Sequence, residues 1–374
     1  MSEAETQTAG GAGHPADGEP RRDDQRHEAE HPVEKHDIAA ILGAVFDGET
    51  LSRETARDVM GRLMDGRLSQ MQAAALLAAL RTRGETVEEI IGFAQAMRAR
   101  AVHVPARHDV PLLDTCGTGG TGIDTINIST SAMFVIAAAG VKVAKHGNVG
   151  ITRKSGSADV LRALGADLDQ SPERLAEAID KVGLAFMFAK NHHPAMKFVA
   201  PIRADLKART IFNNLGPLTN PAAASRQLMG VYDAELTERL ADVLTGLGVE
   251  RALVVHGDRI DDFTVTGPSK VTEVLPDGSR NTFVVTPEEV GLGRYALAEL
   301  AGGDATANAA ALRGVLDGTV DGAKRDVVAF NAGAALYLAG AAAAIEEGVQ
   351  RALELMRDGS ALAKLEQYVA YTRS

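Results

Sequence analysis

The sequence predicts an α/β protein with a mainly parallel sheet and a separate all-helical lobe. Three observations carry this. Residues from Ile38 to about Ala101 show helix-start signals and no strand signals. From Val110 onward, short apolar or β-branched runs alternate with Ala-rich helical stretches, the pattern of parallel strands covered on both faces by helices. Finally, a chain of 374 residues exceeds the roughly 250–300 residues at which single cores stop growing, so two lobes are expected.

The elements follow in order. Residues 1–36 carry nine acidic against four basic residues and scarcely any aliphatic side chains; they are expected to form a disordered acidic tail. Its histidines, His14, His27, His31 and His36, lack the regular spacing of a metal site. Residues 37–106 are expected to form the helical lobe, joined by helices from about 190–210. About four helices are expected before Ala101: Ser69 precedes QMQAAALLAALR, and Thr86 with Glu89 makes a capping box before IIGFAQAMR. The α/β lobe then spans 107–374. PLLDT reads as a strand leading into a Gly-rich loop. A helix is expected near Ser131–Ala139, closed by Gly140, followed by the strand VKVA, a polar loop and a helix opened by Ser157. SPERLAEAIDKVG has Ser171 as N-cap and Pro172 at the first helical position, and LAFMF, QLMGVY, ALVVHG and KVTEV are further strands. Helices are expected from about Ala305 to Tyr371.

Composition excludes several classes. A formal net charge of −11 argues against a nucleic-acid surface, which needs clustered Lys and Arg. The longest apolar run, Ala332 to Ile345, has fourteen residues, fewer than the roughly 20 that cross a bilayer, and reads as a buried helix. No membrane association is expected. The lone Cys116 rules out an intramolecular disulfide framework. With no basic and apolar leader pattern opening the chain, a cytoplasmic location is expected.

The stretch DTCGTGGTGIDTINIST, residues 114–130, packs Gly117, Gly119, Gly120 and Gly122 together. A Walker A loop needs Gly-Lys-Ser/Thr, but Ile123 follows Gly122. GTGGTG fits G-x-G-x-x-G, yet the acid that a dinucleotide site places about 20 residues on is missing from IAAAGVKVA. The remaining reading is a phosphate cradle of backbone N–H groups at a helix N-terminus, with Asn127, Ser129 and Thr130 adding donors; the alternative is a plain turn and cap. In VKVAKHGNVGITRKSGSADVLRALG, residues 141–165, the strand is expected to end at Ala144, so that Lys145, His146 and Asn148 fall in the crevice where parallel sheets bind ligands. Arg153 and Lys154 add positive charge, and Ser157 opens another helix. The adjacent Asp261 and Asp262 beside such a site suit Mg²⁺, which takes one or two carboxylates and completes its shell with water and phosphate oxygens; Asp258 reads as a turn former. Arg203 can grip a carboxylate bidentately or pair with nearby acids. His192 and His193 read as pocket wall, because adjacent residues do not share a helix face.

These motifs, GTGGTG with NIST, KHGN followed by KSGSAD, HHPAMK, RTIFNNLGPLTNPA, and VHG with a later TGP, resemble the anthranilate phosphoribosyltransferase family from about Ala39 to the C-terminus. The resemblance implies a class II nucleoside-phosphorylase-like fold, a homodimer joined through the helical lobe, and transfer of the phosphoribosyl group of phosphoribosyl pyrophosphate to the amine of anthranilate, in tryptophan biosynthesis. It further implies that Gly117, Gly120, Thr125, Asn127, Ser129, Thr130, Lys145, His146, Gly147, Asn148 and Ser157 contact the donor or its metal. Thr121, Ile128 and Arg153 complete that set. Ser129, Asp261 and Asp262 are implied to hold Mg²⁺, and Arg203 and Asn148 to position anthranilate near Gly117. Lys145, Asn148 and Arg203 are expected to carry the catalytic roles. Thr121, Val149, Arg153 and Asp262 stand where the family usually has Asp, Arg, Ser and Glu. Arg153 is expected to restore the charge lost at 149, and Asp262 to keep the metal charge with a shorter reach. An alternative acceptor is another aromatic amine or carboxylate. A nucleoside phosphorylase of the same fold lacks a supporting nucleobase motif.

Overall fold

The N-terminal helices form because side chains close the first turns of most of them. In the computed structural model, which describes residues 37–150 and 153–374, these are α1 (Ile38–Phe46), α2 (Arg53–Met64), α3 (Gln70–Arg83) and α4 (Val87–Arg98). The expected acidic tail of residues 1–36 lies outside the described residues. Ser52, Ser69 and Thr86 each accept from the third helical N–H, and both α3 and α4 carry full capping boxes, with Gln72 and Glu89 as the returning side chains. Glu89 does more than cap. It is fully buried, accepts from Leu51 N at 2.8 Å and pairs with Arg83, so one carboxylate ties α4 to the loop before α2 and to the end of α3.

The described residues contain one sheet of seven strands: β1 (Leu113–Gly117), β2 (Val143–Gly147), β3 (Leu184–Phe188), β4 (Arg226–Gly230), β5 (Arg251–Gly257), β6 (Ser269–Val274) and β7 (Arg280–Val285), in the order β3-β2-β1-β4-β5-β6-β7. The first five in that order run parallel; β6 and β7 are antiparallel. Between the strands lie α5 (Ile128–Ala138), α6 (Ser157–Ala163), α7 (Pro172–Lys181), α8 (Ala189–His192), α9 (Ala200–Leu206), α10 (Phe212–Leu215) and α11 (Leu236–Gly246). The chain closes with α12 (Ala305–Leu316), α13 (Ala323–Leu338), α14 (Ile345–Arg357) and α15 (Ser360–Arg373).

Side chains alternate across the sheet as the pleat requires. Leu228, Leu253 and Val255 face a core shared with α5, α13 and α14, whereas Met229, Ala252 and Val254 face a second core shared with α2, α3, α4 and α11. Burying each such Leu or Val contributes about 1.5–3 kcal/mol. The helical N-terminal residues are thereby fastened to one face of the sheet.

Three boundaries differ from expectation. β2 runs on through Lys145 and His146 to Gly147, because burial between β1 and β3 outweighs the low strand propensity of charged residues. α5 starts at Ile128, not near Ser131, and the Ser131 hydroxyl donates to Asn127 O instead of capping. Ser157 opens α6 as expected, with Gly156 as its N-cap. The apolar run Ala332–Ile345 is not one helix: Gly340, at φ 72°, turns the chain between α13 and α14. The strand β7 was not expected.

Candidate active site

The sheet's order reverses at β1, whose neighbours β2 and β4 lead the chain off in opposite directions, and ligands bind outside the carboxyl ends of parallel strands at such a switch point. Here β1, β2, β4 and β5 all end on glycine, at Gly117, Gly147, Gly230 and Gly257. Gly117 and Gly230 are register partners, and a Cβ on either would strike Asp261. The absent side chains let the 258–262 turn settle directly on the sheet edge. That turn carries Asp261 and Asp262, 3% and 5% exposed.

Asp261 is held from two sides. Its Oδ2 accepts from Gly119 N at 2.7 Å, within the glycine loop, and its Oδ1 pairs with Arg153 Nη2. Gly119, Gly120 and Gly122 have φ of 67°, 81° and 74°, the left-handed region that glycine enters without strain. Asp262 has no such partner in hydrogen-bond contact to favour its charge. Burial, and then the adjacent Asp261 carboxylate, push its pKa up to about 8, against the opposing pull of Arg153 and Lys145.

Lys145 sits on β2, 1% exposed, where its Nζ donates to the Thr115 carbonyl and to Ser129 Oγ at 3.1 Å. Burial lowers its pKa, while the Asp114 carboxylate favours the charged form. Asp114 is fully buried; its Oδ1 accepts from His146 N at 3.1 Å and its Oδ2 has no hydrogen-bond partner. Burial raises its pKa and Lys145 opposes the rise. The His146 ring lies 5.1 Å from the His193 ring, with the Nε2 of His146 and both ring nitrogens of His193 buried and unpartnered. Burial drives both histidines toward the neutral form, His193 to about 4.

Most of the expected site residues converge here. Thr121 and Thr125 each lie 3.4 Å from the Arg153 guanidinium. Thr130 Oγ1 donates to Ser157 Oγ at 2.8 Å, and Ser157 Cβ sits against Gly147. Gly120 offers its carbonyl to Arg209. The Asn127 side chain accepts from Asn308 at 2.8 Å. Asn148 follows directly on β2, and its carbonyl accepts from Ala158 N at 3.1 Å. Ile128 is 2% exposed within the core, so only its backbone is available at the helix start. Arg203 stands apart: it lies on α9 with its guanidinium 5.7 Å from the centre of the Phe212 ring, and among the described residues no carboxylate pairs with it. His192 is anchored, its Nδ1 2.7 Å from Val102 O.

Four residues escaped the sequence reading: Asp114, Arg209, Asn308 and Asn220, the last donating to Ala144 O at 2.8 Å. Asp114 and Arg209 lie inside quoted motifs; the signal for Asp114 was a charged residue at the end of the apolar strand PLLDT. Asn308 sits in an Ala-rich helix and gave none. A cavity of about 350 Å³ lined by Leu63, Leu68, Lys197, Phe198 and Pro201 shares no residue with this crevice.

The donor set fits a magnesium ion. Two adjacent buried carboxylates, one pushed toward protonation by burial and then by the other's charge, are stabilised by added positive charge. Among the described residues no group of three or more His, Cys, Asp or Glu is arranged to hold a metal ion. Mg²⁺ needs none, since it keeps water and phosphate oxygens in its shell. Asp261 and Asp262 are the carboxylates that would hold it.

A helical bundle fastened to a mostly parallel sheet, with a glycine-lined crevice at the switch point, is matched by the two-part model of a glycosyl transferase family. The family model described as "Glycosyl transferase family, a/b domain" matches residues 109–362, and "Glycosyl transferase family, helical bundle domain" matches residues 39–101. The anthranilate phosphoribosyltransferase of Rubrobacter xylanophilus is 53% identical over 327 residues, covering 87% of this chain and 95% of that one. The crystal structure of anthranilate phosphoribosyltransferase from Thermus thermophilus superimposes with a TM-score of 0.84 at 46% identity, covering 89% and 99% of the two chains. The Saccharomyces cerevisiae enzyme in complex with PRPP and Mg gives 0.82 at 26% identity, covering 90% and 98%. The chain belongs to the anthranilate phosphoribosyltransferase family.

Proposed function

We propose that the protein transfers the phosphoribosyl group of phosphoribosyl pyrophosphate to the amine of anthranilate, giving N-(5-phosphoribosyl)anthranilate and pyrophosphate. The observation that carries this is the paired buried aspartates pressed against the glycine loop, in a chain 53% identical to an enzyme of that name. The identity over most of both chains does not favour another acceptor.

The bond from ribose C1 to the pyrophosphate oxygen breaks, pyrophosphate leaves with the electron pair, and the anthranilate nitrogen forms the new bond to C1 and then loses a proton. Positive charge develops on the sugar and negative charge on the leaving group, so orientation and electrostatic support do most of the work. Backbone N–H groups of the Gly117–Gly122 loop and the start of α5 face the donor's phosphates, with Ser129 and Thr130 as further donors. Lys145 contributes a buried point charge whose field is strong because water is excluded. Asp261 and Asp262, with Ser129, would hold Mg²⁺, which would supply positive charge against the pyrophosphate. Arg203 takes the acceptor's carboxylate as a bidentate partner, and Asn148, just after β2, helps to position the acceptor. Neutral His146 and His193 form an uncharged wall. No general base is required of the protein, since the arylamine attacks in its neutral form.

The same reading divides the chain into a helical lobe at 37–106, with helices from 190–210, and an α/β lobe at 107–374, working as a cytoplasmic homodimer. Among the described residues no helix is long and apolar enough to cross a membrane.

The test is formation of the fluorescent phosphoribosyl-anthranilate from the two substrates, with Mg²⁺ and with EDTA. Product is expected only with the metal and both substrates. Arg203→Ala should raise the Michaelis constant for anthranilate, and Lys145→Ala should lower kcat/KM for the donor, each by about 100-fold. Absence of product from the wild-type protein would overturn the assignment.

A further inference from the structure

Arg153 holds a central place in this crevice. Its guanidinium spans the mouth of the glycine loop: Nη2 pairs with Asp261 Oδ1 and lies 3.4 Å from Thr121 Oγ1, while Nη1 lies 3.4 Å from Thr125 Oγ1. The two paired side chains are 18% and 4% exposed, so the attraction is little screened. The chain that delivers the side chain is fixed. Lys154 N donates to Asp124 Oδ1 at 3.1 Å, and Ser155 Oγ accepts from Asn308 at 2.9 Å. With Gly119 N on Oδ2, both oxygens of Asp261 are engaged. The Arg153 Nε is buried and, among the described residues, has no hydrogen-bond partner, so the pairing with Asp261 leaves one donor of the fork unsatisfied.

Resting on the reading of this crevice as the phosphoribosyl pyrophosphate site, we propose that Arg153 is a resident cation that competes with the divalent metal for Asp261 and moves onto a donor phosphate when metal and donor bind together. A divalent ion at the aspartates repels the guanidinium and takes its partner. Alone, the ion therefore displaces an existing ion pair and binds weakly. When the donor is present, its phosphates give the guanidinium a new partner, so the two ligands assist one another.

The experiment titrates Mn²⁺ alone into the full chain and follows free Mn²⁺ by electron paramagnetic resonance. Arg153→Ser and Arg153→Gln are expected to bind Mn²⁺ about tenfold more tightly than the wild type, since a unit positive charge is removed from beside the ion. That gain should vanish when Asp261→Asn is added. Unchanged or weaker binding in both single variants overturns the proposal, as does a gain that survives Asp261→Asn, or no Mn²⁺ binding by any of the proteins. Failure of the donor reading itself looks different: equilibrium dialysis with excess Mg²⁺ would find no phosphoribosyl pyrophosphate on the wild type, whatever the Mn²⁺ comparison gives.

Discussion

Single residues in the crevice set opposing pH dependences. Asp262, raised from 3.8 to about 8 by burial and then by Asp261, holds a proton in the folded protein that the unfolded chain has already released near pH 4. Over that window the folded state binds more protons, so stability is complete below about pH 4 and is lost as pH rises through about 8. His146 and His193 act the other way. Burial pushes both below 6.5, His193 to about 4, so the unfolded chain binds the extra protons and stability is lost as pH falls from about 6.5 toward 4. The two slopes oppose each other below pH 6.5, and only that of Asp262 remains above it. Asp262→Asn is therefore expected to stabilise the metal-free protein at pH 8 by about 1–3 kcal/mol, with the gain shrinking toward pH 6.5. Calorimetry in EDTA checks this; parallel profiles for the two proteins would contradict it.

At the scale of elements, the strand ends and the turn above them act as one piece. A Cβ at Gly117 would lie 3.0 Å from the Asp261 carbonyl and closer still to its carboxylate, and Gly117 has no positive φ to complicate the substitution. Gly117→Ala is therefore expected to push Asp261 off the loop, breaking its bond to Gly119 and its pairing with Arg153. Overpacking should cost about 1–3 kcal/mol, and the displacement should lower kcat/KM for the donor about 100-fold. Gly43→Ala, on α1 with nothing within 4 Å of its Cβ and no positive φ, is the steric control; similar kinetics for Gly117→Ala and wild type would defeat the argument. The strands β1 to β6 and the capped helices were legible because apolar runs and Ser/Thr caps are local signals. β7 was not, because RNTFVV is a largely exposed edge strand whose partner is only β6, so no burial pattern marks it. The continuation of β2 through Lys145 and His146 was hidden for the opposite reason: their burial is imposed by neighbouring strands distant in sequence. Likewise the motifs set Arg153 at the phosphate end, whereas its pairing with Asp261 spans 108 positions and follows only from the turn lying on the sheet edge.

The whole molecule shares its apolar cores rather than separating them. Leu76, Leu77 and Phe93 from the N-terminal helices pack in the same cluster as Met229, Ala252 and Val254 from the sheet. Arg98 on α4 donates to Leu218 O at 2.8 Å and to Leu247 O at 3.3 Å, bridging to the segments around α10 and α11. Residues Ile38–Ser374 accordingly form one compact unit. Unfolding the helical part alone would expose one face of β4 and β5 to water, at about 25 cal/mol for each Å² of apolar surface. A single cooperative heat-unfolding transition is therefore expected. Because the proposed donor site lies on the sheet edge and not in the helical part, saturation with phosphoribosyl pyrophosphate and Mg²⁺ tests that coupling. Ligand at about 100 times its dissociation constant stabilises by about 2.7 kcal/mol, and in a coupled molecule the one transition moves upward as a whole. Two calorimetric transitions, with only the hotter moved by the ligands, would show that the helical part unfolds independently despite its shared core.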